Sequence, residues 1–195
     1  MNARLQIIGL SGTNASGKDT VGTLLAERHN YLFISVTELL REEARHRGLP
    51  VERKYLREIS AEWRRKYGLG MLVDRAVEAW KKTGDQYSGV VMASLRNPHE
   101  ADRIHELEGT MIWVDADPKI RYARIIAADR GRSGEDNKTY EQFLAEEAAE
   151  MKPPEGADAA TLNMAAVRDC SDIRLKNDSS DLEAFKAEIE KDLGF

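Results

Sequence analysis

The sequence is poor in several residue classes, and each shortage excludes something. Its 195 residues include a single cysteine, Cys170. A lone thiol forms no internal disulfide and no multi-cysteine metal site, which points to a reducing cytoplasm. Proline is sparse at 5 residues and aromatics at 7%, and no repeat or biased tract is present. With 42% hydrophobic residues, the chain is neither collagenous nor disordered. No apolar run approaches the ~20 residues that a membrane span needs. The start, Met1-Asn2-Ala3-Arg4, has no secretory signal pattern. A soluble cytoplasmic protein that engages no membrane is therefore expected. Basic residues are also in deficit: 29 Lys and Arg against 34 Asp and Glu give a net charge of −5, which argues against a nucleic-acid coat. The four histidines, His29, His46, His99 and His105, have no metal-ligand spacing.

The charge that is present is unevenly spread. Residues 41–66 carry nine basic side chains against five acidic ones, while residues 135–158 carry eight acidic ones against two lysines. Most of these read as solvated helix faces. The sharper reading of the basic stretch is the border of a site for an anionic ligand.

Short apolar runs alternate with helical periodicity. Strands are expected over 5–10, 31–36, 89–95, 110–114 and 173–175. Helices are expected over 18–29, 37–47, 52–67, 70–83, 98–107, 119–128, 139–151 and 182–193, with Pro98 and Pro118 at helix starts. Glycine- and proline-bearing breaks separate them, and 152–160 reads as a turn region. Such alternation predicts an α/β fold, a parallel five-stranded sheet sandwiched by helices. The three helices within 37–84 are too long for a simple crossover and read as an insertion beside a ligand cleft. The whole chain, 1–195, reads as one domain with a polar loop over 129–138. Trp63, Trp80 and Trp113 read as core anchors.

The most specific pattern is Gly12-Thr13-Asn14-Ala15-Ser16-Gly17-Lys18-Asp19-Thr20, which matches G-x-x-x-x-G-K between an expected strand and an expected helix. Its glycines let backbone N–H groups turn inward on phosphate oxygens, and the helix adds its positive end. The segment thus offers Gly12, Asn14, Ala15, Ser16, Gly17, Lys18, Asp19 and Thr20 to a nucleotide, with Lys18 on the β and γ phosphates of ATP. Asp19 stands where Ser or Thr is usual. Magnesium could be held by the Asp19 carboxylate, or Thr20 could supply the hydroxyl; capping or packing is the alternative role of Thr20.

With that loop in place, further segments resemble the adenylate kinase and dephospho-coenzyme A kinase group of P-loop nucleotide kinases. Ile34-Ser35-Val36-Thr37-Glu38-Leu39-Leu40-Arg41 is similar to the segment after the second strand of adenylate kinases. The resemblance implies that Ser35 and Arg41 meet the acceptor. Leu95-Arg96-Asn97-Pro98 stands where those kinases place an acceptor-binding arginine, here Arg96. Asp115 to Arg124 resembles the helix entering a lid, Arg130-Gly131-Arg132 part of the lid, and Lys176 to Ser180 the turn near adenine, which carries Asn177. Residues 37–78 and the Arg-Ser-Gly-Glu-Asp stretch are most similar to an archaeal-type branch related to dephospho-coenzyme A kinase. The implied fold is the P-loop kinase fold with a helical acceptor-binding insertion and a short arginine-bearing lid. The implied catalytic set is Lys18, Arg96, Arg124, Arg130 and Arg132, with Arg121 either beside them or on a solvated flank, Arg130 also touching the nucleotide, and ATP and magnesium as cofactors.

Arginine suits this work because its planar fork grips phosphate bidentately and stays charged. One departure bears on the acceptor. Kinases of this group often end the third strand with an aspartate, whereas Met92-Ala93-Ser94-Leu95 has no carboxylate. A hydroxyl acceptor would want a general base; a monophosphate is already anionic. Asp115 or Asp117 are the nearest substitutes, although strand-end packing and helix capping suit them better. The expected activity is transfer of the ATP γ-phosphate to a nucleoside or deoxynucleoside monophosphate. Dephospho-coenzyme A is the alternative acceptor, and a non-catalytic nucleotide switch the third reading. No Asn-Lys-x-Asp guanine motif is present.

Overall fold

Apolar runs that do not alternate with polar residues belong in a sheet covered on both faces, and Gly89 to Ala93 forms such a strand, buried throughout. In the computed structural model, which describes residues 6–127 and 138–195, the first elements are β1 (Ile7–Gly12), α1 (Lys18–His29) and β2 (Tyr31–Ser35). Next come α2 (Val36–His46), α3 (Arg53–Tyr67) and α4 (Met71–Lys81), all between β2 and β3 (Gly89–Ala93). The chain continues through α5 (Pro98–Glu106), β4 (Thr110–Asp115) and α6 (Pro118–Ala127). The rest is α7 (Tyr140–Met151), α8 (Met164–Asp169), β5 (Ile173–Lys176) and α9 (Leu182–Leu193). The five strands pair in the order β2-β3-β1-β4-β5, and every pairing is parallel.

Alternate strand residues feed two cores. Val90, Met92 and Met111 pack with α2 to α5 and α8 on one face. Ile8, Leu10, Val91, Ile112 and Val114 pack with α1 and α9 on the other. On α9, Phe185, Ile189 and Leu193 form the buried stripe, while Leu182 is exposed. Trp63 and Trp113 are buried in the core. Among the described residues, no helix is long and apolar enough to cross a membrane.

Two strand ends and one short helix depart from expectation for local reasons. Gly9, Ser11 and Gly12 look like stop signals yet lie within β1. A Cβ at Gly9 would sit 2.3 Å from Met111 Sδ, so the glycine serves close packing. Ser11 Oγ donates to the Leu95 carbonyl at 2.6 Å. The start of that strand, Leu5, lies outside the described residues. β3 stops at Ala93 because Ser94 takes a left-handed backbone, φ 75°. Helix α8 was not foreseen: six residues are too few to show a period, although its N-cap Asn163, whose side chain accepts from Ala166 N at 3.1 Å, is a readable start signal.

Candidate active site

The turn between β1 and α1 is held from several directions. Thr13 Oγ1 donates to Asp115 Oδ1 at 2.7 Å, tying the turn to the end of β4. Asn177 Nδ2 donates to the Ser16 carbonyl at 2.9 Å. Arg121 and Arg124 reach the carbonyls of Asn14 and Ala15 at 3.4 and 3.5 Å. Gly17 is the N-cap of α1 at φ 101°, and a Cβ there would lie 2.3 Å from Asn177 Nδ2. With no capping side chain, the first-turn N–H groups of α1 remain open to an anion. Lys18 is buried, and its Nζ folds back to donate to the Thr13 carbonyl at 3.3 Å. Burial, reinforced by the nearby Arg96 and Arg53 and opposed by Asp19, lowers its pKa to about 8. A phosphate arriving beside it would restore the ordinary charge preference. The residues present therefore fit a polyphosphate.

One cavity, of about 750 Å³, opens on this turn. Asn14, Ala15, Gly17, Lys18, Asp19 and Thr20 line one side of it, and α6 with the 177–182 segment lines the other. Arg124 stands on its wall, donating from Nη2 to the carbonyls of Asn177 at 3.0 Å and Ser179 at 3.1 Å. Arg121 belongs to the interior instead: it is 2% exposed, donates to the Ala116 carbonyl at 2.7 Å and is gripped by both oxygens of Glu147. It braces α6 against α7 and lines neither cavity. Arg130, Arg132 and the expected lid up to residue 137 lie outside the described residues. Asp19 and Thr20 present oxygen donors to this cavity. That set suits magnesium, which keeps waters and takes phosphate oxygens beside one or two protein ligands.

A second cavity, of about 120 Å³, lies between the turn, α2, α3, the segment after β3, and α7. It gathers Arg41, Arg53, Arg57, Arg64 and Arg96, with Ser35 and Ser94, around Lys18 and two carboxylates, Asp19 and Glu150. Ser35 also caps α2, its Oγ accepting from Glu38 N at 3.4 Å. Arg41 donates to Glu38 at 3.1 Å. Glu150, 5% exposed, accepts from Arg96 at 2.5 Å and from Arg53 at 2.8 Å. Burial pushes the Glu150 carboxyl up, but Arg96, Arg53 and Arg57 outweigh it and hold it below the ordinary range. Arg96 is shifted down, chiefly by burial and further by Arg53, Arg57 and Arg64, against the pull of Glu150. Positive charge is thus concentrated here. Behind the cavity, fully buried Glu100 takes two bonds from Arg64, at 2.9 and 2.7 Å, on Oε1. Its Oε2 accepts the backbone N–H groups of Arg96 and Asn97 at 2.8 and 3.0 Å. Arg96 is positioned through its own backbone.

Asn14, Lys18 and Asp19 line both cavities, so the two meet at the start of α1. Asp115 and Asp117 do not replace the carboxylate absent after β3. Asp115 accepts from Thr13 Oγ1 and Ala116 N, Asp117 accepts from Lys119 N at 2.8 Å, and neither lines a cavity. Sequence reasoning missed Glu150 by taking the acidic helix as a solvated flank. The usable signal was Phe143, Glu147 and Glu150, spaced four and three apart on one helical face; Glu147 and Glu150 turn inward with Phe143.

Comparison with known proteins agrees with this geometry at the level of fold. A family model described as an AAA domain matches residues 8–150. A UPF0200 protein of Pyrobaculum aerophilum is 27% identical over 189 residues, covering 96% of this chain and 96% of its own. Another, from Pyrococcus horikoshii, is 30% identical over 149 residues and covers 74% of this chain and 78% of its own. Shikimate kinase from Bacteroides thetaiotaomicron superposes with a TM-score of 0.60 at 16% identity, over 98% of this chain and 99% of that one. A gluconokinase from Sinorhizobium meliloti gives 0.52 at 16% identity, over 99% of this chain and 94% of that one. The fold is the P-loop kinase fold. These likenesses do not single out the adenylate kinase or dephospho-coenzyme A kinase branch that the short motifs resemble.

Proposed function

This chain belongs to the AAA-domain family and to the UPF0200 proteins, and from that premise we propose that it is an ATP-dependent phosphotransferase whose acceptor is a nucleoside or deoxynucleoside monophosphate. The observation that carries the reading is the meeting of two cavities at Asn14, Lys18 and Asp19. One is headed by an uncapped helix start, the other crowded with arginines. Phosphoryl transfer needs two anions held in line and their charge neutralised, with little covalent help.

Magnesium-bound ATP supplies the phosphoryl group and a partly neutralised leaving group. The first turn of α1 and Lys18 hold its phosphates, Asp19 and Thr20 stand ready for the ion, and Arg124 closes the far wall. Arg41, Arg57 and Arg96 orient the acceptor phosphate, with Ser35 and Ser94 as neutral donors. Arg130 and Arg132 are proposed to complete the charge cage from the lid. A phosphomonoester needs no base, in keeping with Glu150, which is held as a carboxylate by its arginines. A hydroxyl acceptor such as dephospho-coenzyme A is the second reading. Asp19 favours it, as an exposed carboxylate where the two cavities meet, the place for a general base.

The test is ADP formation from magnesium-ATP across nucleoside monophosphates, deoxynucleoside monophosphates and dephospho-coenzyme A. Acceptor-dependent turnover with a monophosphate is expected, and it should survive Asp19→Asn better than turnover on a hydroxyl acceptor does. No acceptor-dependent turnover with any of them would sink both readings.

A further inference from the structure

Glu150 has no counterpart in the role just described. It reaches the second cavity from α7 and places both carboxylate oxygens on guanidinium groups that line the cavity, Arg53 of α3 and Arg96. A residue meant only to anchor α7 would not need to do so, since Glu147 on the same face already ties that helix to Arg121. An acceptor anion held by Arg96, as proposed above, meets this carboxylate on the same guanidinium. An arriving anion must therefore share those arginines with Glu150 or displace it.

We propose that Glu150 is a resident anion that sets the charge selectivity of the acceptor cavity, admitting doubly charged phosphate and rejecting singly charged carboxylates. The proposal rests on the reading that this cavity takes a phosphorylated acceptor. Replacing one carboxylate by another gains no Coulomb energy on the arginines, yet it immobilises a free ligand and leaves Glu150 buried without its partners. A phosphate dianion brings a second charge and a third oxygen, which engage Arg57 as well. Discrimination then comes from an element that repels the wrong ligand, in addition to those that attract the right one.

The test titrates inorganic phosphate and acetate by calorimetry into protein saturated with magnesium and a non-hydrolysable ATP analogue, which fills the first cavity. Wild type should bind phosphate and not acetate. Glu150→Gln should bind phosphate about tenfold tighter and acquire measurable acetate binding, as a competing buried charge is removed. Glu150→Asp, which keeps the charge but retracts it, should move the same way by less, and it carries the test if the glutamine variant does not fold. Glu147→Gln, which frees α7 from Arg121 but leaves the resident anion, should stay within about twofold of wild type for phosphate. Unchanged or weaker phosphate binding in the Glu150 variants overturns the proposal, and so does acetate binding by wild type or its absence in Glu150→Gln. So does an equal gain in Glu147→Gln, because loosening of α7 would then explain both. Failure of the ATP analogue to bind is a separate result that refutes the phosphotransferase reading.

Discussion

The Arg64–Glu100 pair offers the sharpest energetic test of how the acceptor cavity is built. Both side chains are sealed, at 2% and 0% exposure. Glu100 divides its labour by oxygen: Oε1 serves Arg64 alone, and Oε2 serves the backbone of Arg96 and Asn97. Glu100→Gln can keep its remaining oxygen on those two N–H groups, which turns its amide towards Arg64, donor against donor. Among the described residues, a buried guanidinium is then left with Ser60 Oγ at 3.3 Å and the Ala160 carbonyl at 3.2 Å. Stranding one partner of a buried pair costs about 3–5 kcal/mol. For a chain of this length that corresponds to a fall in Tm of about 6–20 °C. Adding Arg64→Met removes the stranded charge; the amide introduced at position 100 stays unpaired in both variants, and the Ala160 carbonyl loses its donor at a further cost of about 1–3 kcal/mol. Urea unfolding of wild type, Glu100→Gln and Arg64→Met/Glu100→Gln measures all three on one scale. The double variant should be more stable than the single one. A single variant within about 1 kcal/mol of wild type, or a double variant less stable than the single, would refute the reasoning.

Two further outcomes follow from the site. Lys18→Ala should abolish turnover without lowering Tm, because burial disfavours the charge that it removes; Arg41→Ala should raise the acceptor KM and leave ATP binding intact, as steady-state kinetics and nucleotide titration of both variants will show. Glu150 contributes stability above the ordinary carboxylate value of 4.5 and loses it as pH falls through its depressed folded value, so acid unfolding of Glu150→Gln should be less steep below that point than that of wild type.

Much of this architecture could be read from the chain. The unalternating run Gly89 to Ala93, the G-x-x-x-x-G-K turn and the prolines that open α5 and α6 are local signals, and the strands and helices formed close to where these residues place them. Gly9 lies inside the strand expected over 5–10, but the reason for a glycine there is a neighbour 102 positions away, the Met111 sulfur, and no local pattern carries that contact. The same limit governs the site. Lys18, Arg41 and Arg96 stand in short recognisable segments, but the partner of Arg96 is Glu150, contributed from the far side of the chain. Arg53, Arg57 and Arg64 were visible only as part of a basic stretch, and nothing along the sequence distinguishes those that line a cavity from Arg45, which pairs with Glu38 at the surface. Arg121 and Arg124, three apart on one helix, both touch the phosphate turn. One is an interior brace and the other a cavity wall, a distinction made by Glu147 on another helix.

Direct transfer between the two cavities is most plainly tested by following the label from γ-labelled ATP, with magnesium and a nucleoside monophosphate. The account predicts label in the nucleoside diphosphate, and loss of that transfer in Arg96→Ala. Label released only as inorganic phosphate, at a rate indifferent to the monophosphate, would contradict it.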